Sequence, residues 1–207
     1  MSRALFIVDV QNDFTEGGAL GVDGGIQVAG AITEYLADHA DHYALIVASR
    51  DWHDADNDNG GHFAVDADPN FVDTWPEHCV AGTPGADYHP AFVTDEVDVH
   101  VHKGQGEPAY SAYEGVAEDG RAVPALVEER GITDIDVVGI ATDHCVRATV
   151  LDALAHGRRV RVFEDLVAGV APETTVAALE EMKAAGAEIV GRPTLDLVEP
   201  SLTTEPR

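Results

Sequence analysis

Four kinds of reactive side chain stand where short apolar runs end. Asp9 closes the run Ala4 to Val8, Asp51 and His53 follow Ala44 to Ala48, Lys103 follows the alternating Val97, Val99 and Val101, and Cys145 follows Ile135 to Ala141. If each run is a strand of an open α/β sheet, these residues gather beyond the carboxyl ends of the strands, where such sheets bind ligands. A cysteine placed there can act as a nucleophile. An ammonium can stabilise its thiolate, and a carboxylate can take the thiol proton and pass it to a leaving amine. Cys145 lies in GIATDHCV, read as strand, turn and helix start, so the helix N-terminus is expected to favour its thiolate. Singly, each residue has a plainer reading as a buried thiol, a strand-end cap or a solvated charge. Together they favour a Cys-Lys-Asp system, and it is informative that one of only two lysines, Lys103 and Lys183, ends a strand.

Asp51, His53, His62 and His78 form a second constellation. One carboxylate and several imidazoles suit Zn2+, Fe2+ or Mn2+ rather than Ca2+ or Mg2+, with zinc the first choice. The acids Asp54, Asp56, Asp58, Asp66 and Asp68 are expected to be mostly solvated. His39, His42 and His156 fall on helical segments and are expected at the surface, whereas His100 and His102 share one strand face and read as structural. His144 ranks below Asp9 as a base, because neighbouring positions at a helix start point in different directions. Gly104 and Gly106 make no phosphate loop, since no Gly-Lys-Ser/Thr follows.

The elements that must position these residues can be read from periodicity. Ile26, Ala29, Ile32, Tyr35 and Leu36 recur at helical spacing, predicting a helix from Gly25 to about His39 between the first two strands, a βαβ unit. The stretch from Asp51 to Pro90 is rich in Asp, Asn, Gly and Pro and reads as a long functional loop. Beyond it come a strand ending at Lys103, a helix before Gly131, the strand Ile135 to Ala141, a helix over about His144 to His156, a strand at Arg159 to Phe163, a helix over Glu173 to Ala185 stopped by Gly186, and a strand near Ile189. The alternation predicts an α/β fold with a mostly parallel sheet and helices on both faces. A single domain over residues 1–192, with a metal-binding loop region at about 51–90, is expected to precede a C-terminal tail, 193–207.

Composition narrows the partners. In 207 residues, 38 Asp and Glu face 12 Lys and Arg, for a formal net charge of -26. Such a field repels nucleic acid and anionic membranes and leaves a small neutral ligand unaffected. It also suggests adaptation to high salt, where screening removes the self-repulsion. Apolar runs fall short of the roughly 18 residues that would suggest a membrane span, and Asp9 interrupts any signal-like segment. Two cysteines, Cys79 and Cys145, make no disulfide framework, so a cytoplasmic location is expected. Monomer and homo-oligomer both remain open.

The motifs VDVQNDF at Val8 to Phe14, RDWH at Arg50 to His53, WPEHCVAGTPGADYHP at Trp75 to Pro90, KG at Lys103, GIATDHCVRAT at Gly139 to Thr149 and DLVAGVAPETTVAALEEM at Asp165 to Met182 together resemble the isochorismatase-like cysteine hydrolases. The Asp-x-His with WPxHC is similar to the metal-containing nicotinamidase (pyrazinamidase) branch. The resemblance implies a three-layer α/β/α sandwich and hydrolysis of nicotinamide to nicotinate and ammonia in NAD salvage, with pyrazinamide as a further substrate. It implies Cys145 as nucleophile, Asp9 as base, Lys103 as the charge holding the thiolate, and a cis peptide from Ile140 to Ala141. The Ala141 and Cys145 amides would form the oxyanion hole. It implies Asp51, His53 and His78 as ligands of one divalent transition metal ion that binds the pyridine nitrogen. His62 would be a ligand as in the branch members that share the local His-Phe, and Phe14, Trp75 and Tyr110 would line the pyridine pocket. Other readings are an isochorismatase or another amidase, a non-catalytic metal or thiol redox protein, and attack by metal-activated water with the thiol incidental.

Overall fold

A computed structural model describes residues 2–65 and 67–191. The tail from Pro193 and the acid Asp66 lie outside the described residues. Seven strands form one sheet in the order β4-β3-β2-β1-β5-β6-β7: β1 Arg3–Val8, β2 Leu45–Asp51, β3 Val99–Lys103, β4 Val116–Ala117, β5 Asp134–Ile140, β6 Arg159–Ala168 and β7 Glu188–Val190. All neighbouring pairs are parallel except β3 with β4. The two-residue β4 has no apolar run of its own, and its hydrogen bonds to β3 define it, so periodicity missed it.

Strand side chains alternate between faces. Phe6, Val47 and Val137 pack on one side against residues of α2 Val123–Glu129, α3 Arg147–Ala155 and α4 Pro172–Ala185. Leu5, Ile7, Ile46 and Val138 pack on the other against α1 Gly25–His39. The expected three layers are therefore present. In α1 the buried stripe runs through Val28, Ala29, Ile32, Tyr35 and Leu36, whereas Ile26 is 42% exposed, so its place in the periodic reading was wrong. His39, expected at the surface, is buried, stacked on Tyr35 and bonded to the Tyr35 carbonyl. It falls four residues after Tyr35, on the apolar stripe. Gly186 ends α4 in the left-handed conformation, as its position suggested. β6 runs five residues beyond the expected Phe163, to Ala168, past an irregularity in its pairing with β5.

From β1 the chain winds outward through β2 and β3, and from β5 outward the other way through β6 and β7, so the order reverses between β1 and β5. A crevice opens at such a switch point beyond the strand ends. The two strands approach closely there: a Cβ on Gly139, at φ +117, would lie 2.1 Å from the Val8 carbonyl oxygen. Among the described residues no helix is long and apolar enough to cross a membrane.

Candidate active site

Asp9, Asp51 and Lys103 end three adjacent strands, and Cys145 follows the strand on the far side of β1. Asp9 takes up φ +48, which Asp tolerates better than most residues. Its amide bonds the Ser49 carbonyl and its Oδ1 accepts the Ser49 hydroxyl at 2.7 Å. Asp51 and Lys103 are direct partners in the β2–β3 register, so their side chains leave the same face side by side. Lys103, 1% exposed, points its ammonium at three groups: Asp9 Oδ2 at 2.9 Å, Asp51 Oδ1 in a short hydrogen bond, and Cys145 Sγ at 3.6 Å. Asp9 Oδ2 has no directed hydrogen bond despite that ionic contact, which leaves it open to a proton. Carboxylate oxygens of Asp9 and Asp51 and the Cys145 sulfur lie within 4.8 Å of one another.

Burial and charge set the protonation states. Burial raises the Asp9 carboxyl, Lys103 lowers it and Asp51 raises it, and the net is upward, suiting a proton acceptor. Burial also acts to raise Asp51, but the Lys103 ammonium beside it holds it below the usual carboxylate range. Lys103 is pushed down by burial and up by Asp51, Asp9 and Cys145, and the carboxylates prevail, so it stays an ammonium. The Cys145 thiol is raised, first by burial and then by Asp9 and Asp51, with Lys103 only partly opposing. The upward direction runs against the expectation that the helix N-terminus favours the thiolate. Cys145 lies inside a single π-helical turn, Thr142–Val146, ahead of α3, and burial there, helped by the two carboxylates, outweighs the lowering by Lys103. To act as a nucleophile such a thiol would have to give up its proton, and Asp9 Oδ2 is an open acceptor near it.

The histidine cluster adjoins the same site. One ligand-type nitrogen from each of His53, His62 and His78 lies within 4.8 Å of the others, and all three residues are buried. Asp51 Oδ2 faces His53 Nε2 at 3.7 Å and His78 Nε2 at 3.8 Å. His53 Nδ1 is paired with the Gly104 carbonyl at 2.8 Å and His78 Nδ1 with the Pro76 carbonyl at 2.7 Å. Carbonyl partners on Nδ1 fix the tautomer that turns the Nε2 lone pair inward, as in metal-binding histidines. His53 Nε2 and His62 Nδ1 are buried without a hydrogen-bond partner. Burial and the neighbouring imidazoles depress His62 to about 3, so its lone pair is free. Unpaired imidazole nitrogens beside an ionised carboxylate fit a divalent transition metal ion. Gly104 makes room for this arrangement: at φ +78 it takes a left-handed conformation, and a Cβ there would lie 2.5 Å from His53 Cε1.

A cavity of about 360 Å3 opens over Cys145 and Ala141 and reaches Asp51, His62 and His78. Phe14, Trp75 and Tyr110 line it, and Trp75 Nε1 donates to the Tyr110 hydroxyl at 3.0 Å. The Ile140–Ala141 peptide is cis. His144 also lines the cavity, edge-on to Trp75 at 5.1 Å, with no hydrogen bond to the sulfur among the described residues. His100 pairs with Tyr88, and His102 stacks on Trp52 and pairs with Arg50, all structural contacts.

Asp9, Asp51, His53, His62, His78, Lys103 and Cys145 thus meet around one crevice, which the sequence reading split into two constellations. Asp51 joins them, one oxygen on Lys103 and the other facing the histidines. Ser49 was missed, although its place two residues before Asp51 on the same strand face could have marked it. Gln11, fully buried, and the cavity-lining Val170 fall inside motifs quoted from the sequence but were given no role there, and the cavity-lining Leu20 and Phe71 were not singled out.

Residues 3–193 match the family model described as the isochorismatase domain. The chain is 52% identical over 188 residues to the nicotinamidase/pyrazinamidase of Mycobacterium tuberculosis, covering 91% of this chain and 98% of that protein. Its fold is similar to the pyrazinamidase of Pyrococcus horikoshii in complex with zinc, at TM-score 0.77 and 37% identity over 92% of this chain and 99% of that one. It is similar also to an L. infantum protein in complex with nicotinate, at TM-score 0.77 and 31% identity, over 92% of each chain.

Proposed function

The chain belongs to the isochorismatase domain family, and on that premise we propose that it hydrolyses nicotinamide to nicotinate and ammonia, a step of NAD salvage, and acts also on pyrazinamide. The observation that carries this reading is that Cys145, in contact with Lys103 and beside Asp9, lines an apolar cavity whose wall also holds Asp51, His62 and His78, with His53 grouped with those two histidines. Relatives that are nicotinamidases do not favour an isochorismatase or a non-catalytic redox protein.

The flat ring of the amide lies between Phe14, Trp75 and Tyr110, where apolar walls match an aromatic ligand. Asp9 takes the Cys145 proton as the sulfur bonds to the amide carbon. Lys103, held between carboxylates, steadies the sulfur anion, and the Ala141 and Cys145 amides receive the oxyanion. Asp9 returns the proton to the nitrogen, the C–N bond breaks and ammonia leaves a thioester. Water then gives a proton to Asp9 and its oxygen to the acyl carbon. The C–S bond breaks, nicotinate departs and Asp9 restores the thiol proton. Asp51, His53, His62 and His78 would hold the metal ion, for which the zinc complex of the Pyrococcus relative supports Zn2+ over Fe2+ or Mn2+. When bound, it would act as a Lewis acid that grips the pyridine nitrogen. A cytoplasmic location accords with this soluble substrate.

The test is ammonia release from nicotinamide at low and at molar KCl, with metal analysis of the same sample. High-salt adaptation of this acidic chain predicts the greater activity in KCl. Metal-replete protein that frees no ammonia from nicotinamide or pyrazinamide in either condition would refute the reading. His53→Ala is expected to weaken metal binding and raise KM about 10–100-fold, the scale seen when metal sites are perturbed, while Cys145 remains alkylatable. A metal-free variant with wild-type KM would contradict the role given to the ion.

A further inference from the structure

We infer that Gln11 is a positioning residue that sets the metal ligands and the nucleophile's ammonium in register through Asp51. The inference rests on the metal and nucleophile roles proposed above. Gln11 follows β1 and is fully buried. Its Oε1 accepts the Asp51 amide at 2.8 Å, and its Nε2 donates to the Asp51 carbonyl at 2.9 Å and to the Ala86 carbonyl at 2.9 Å. The side-chain amide thus grips both main-chain groups of Asp51, as a neighbouring strand would, and ties them to the loop that follows His78. A buried amide with this set of partners is well satisfied and has one fixed orientation.

Asp51 is the residue for which that grip matters most. Its carboxylate stands on a single methylene, so its oxygens follow the backbone closely. One oxygen bonds Lys103, and the other faces His53 and His78 at 3.7 and 3.8 Å. A displacement of about half an ångström is enough to spoil a catalytic or metal geometry. Movement of the Asp51 main chain would therefore disturb both the metal ligands and the ammonium beside Cys145. A residue serving the metal alone would leave the thiol chemistry intact once the metal site was saturated.

Gln11→Met keeps the length and bulk of the side chain and removes all three bonds. The experiment measures metal affinity by chelator competition, Cys145 alkylation by iodoacetamide with peptide mapping, and kcat and KM at saturating metal. The expected result is metal affinity weakened about 10–100-fold, an altered pH profile of Cys145 alkylation, and a kcat that stays at least tenfold low after KM is restored by excess metal. Gln11→Asn, too short to reach both Asp51 and Ala86, should not rescue kcat. Ile32→Ala, a core truncation in α1 on the opposite face of the sheet, supplies the control for lost stability and should leave metal affinity and alkylation unchanged. Wild-type metal affinity, alkylation profile and kcat in Gln11→Met would overturn the inference, whatever its melting temperature. Should Gln11→Met be too unstable to isolate, Gln11→Asn takes the same three measurements, and wild-type values there would overturn it equally. Metal affinity and alkylation need no substrate, so they stand even if nicotinamide proves not to be hydrolysed.

Discussion

Cys145→Ala is expected to lower kcat for amide hydrolysis by on the order of 10^4-fold or more, with metal content unchanged. Nucleophile removals in triad enzymes have this scale because the remaining groups act through the missing one. Here Asp9 has no proton to take without the sulfur, and Lys103 has no anion to stabilise at the 3.6 Å contact. The metal ligands belong to other segments, so binding of the ion should persist. Assay of ammonia release together with metal analysis checks both halves. Turnover near the wild-type rate would mean that water attacks the amide directly and that the thiol is incidental.

Lys103→Met should cost both activity and stability. Lys103 is buried between two buried carboxylates, and removing one partner of such an ionic group leaves uncompensated charge, which costs about 3–5 kcal/mol. For a chain of this size that corresponds to a fall in Tm of roughly 6–20 °C. The pH dependence has a definite sign. Lys103 lowers the Asp9 carboxyl, so its loss raises a value that burial already holds above normal. A carboxyl raised in the folded state is destabilising where it is ionised, so the variant should regain stability as the pH falls through that raised value. Residual activity should vanish over the same range, because Asp9 must be ionised to accept a proton. Melting curves and pH-rate profiles test this, and a variant with wild-type Tm and an unmoved acid limb would contradict the buried-ammonium account.

The reactive residues were legible because strand ends at a switch point are marked by where apolar runs stop, and Asp9, Asp51, Lys103 and Cys145 all stand at such stops. Periodicity gave α1 its bounds but misjudged Ile26 and His39, since it cannot tell which edge of an amphipathic stripe the sheet covers. The union of the two constellations was hidden because it depends on the β2–β3 register, which pairs Asp51 with Lys103 across 52 positions of chain. The raised Cys145 thiol was hidden for a related reason. Local sequence shows the helix that follows the sulfur and says nothing of how deeply the fold buries it, or of the two carboxylates brought to it by other strands. Gln11 is a polar residue among many in a list of letters, and only the fold reveals that its amide closes on the Asp51 main chain.

The central claim is that the sulfur of Cys145 becomes covalently bonded to the acyl group. Acid-quenched turnover of nicotinamide, digested and read by mass spectrometry, tests it most directly. The account predicts a nicotinoyl adduct on the Cys145 peptide, none on the buried Cys79, and loss of both adduct and ammonia release after iodoacetamide treatment. Sustained turnover with no adduct at any quench time, and at a rate indifferent to iodoacetamide, would contradict it.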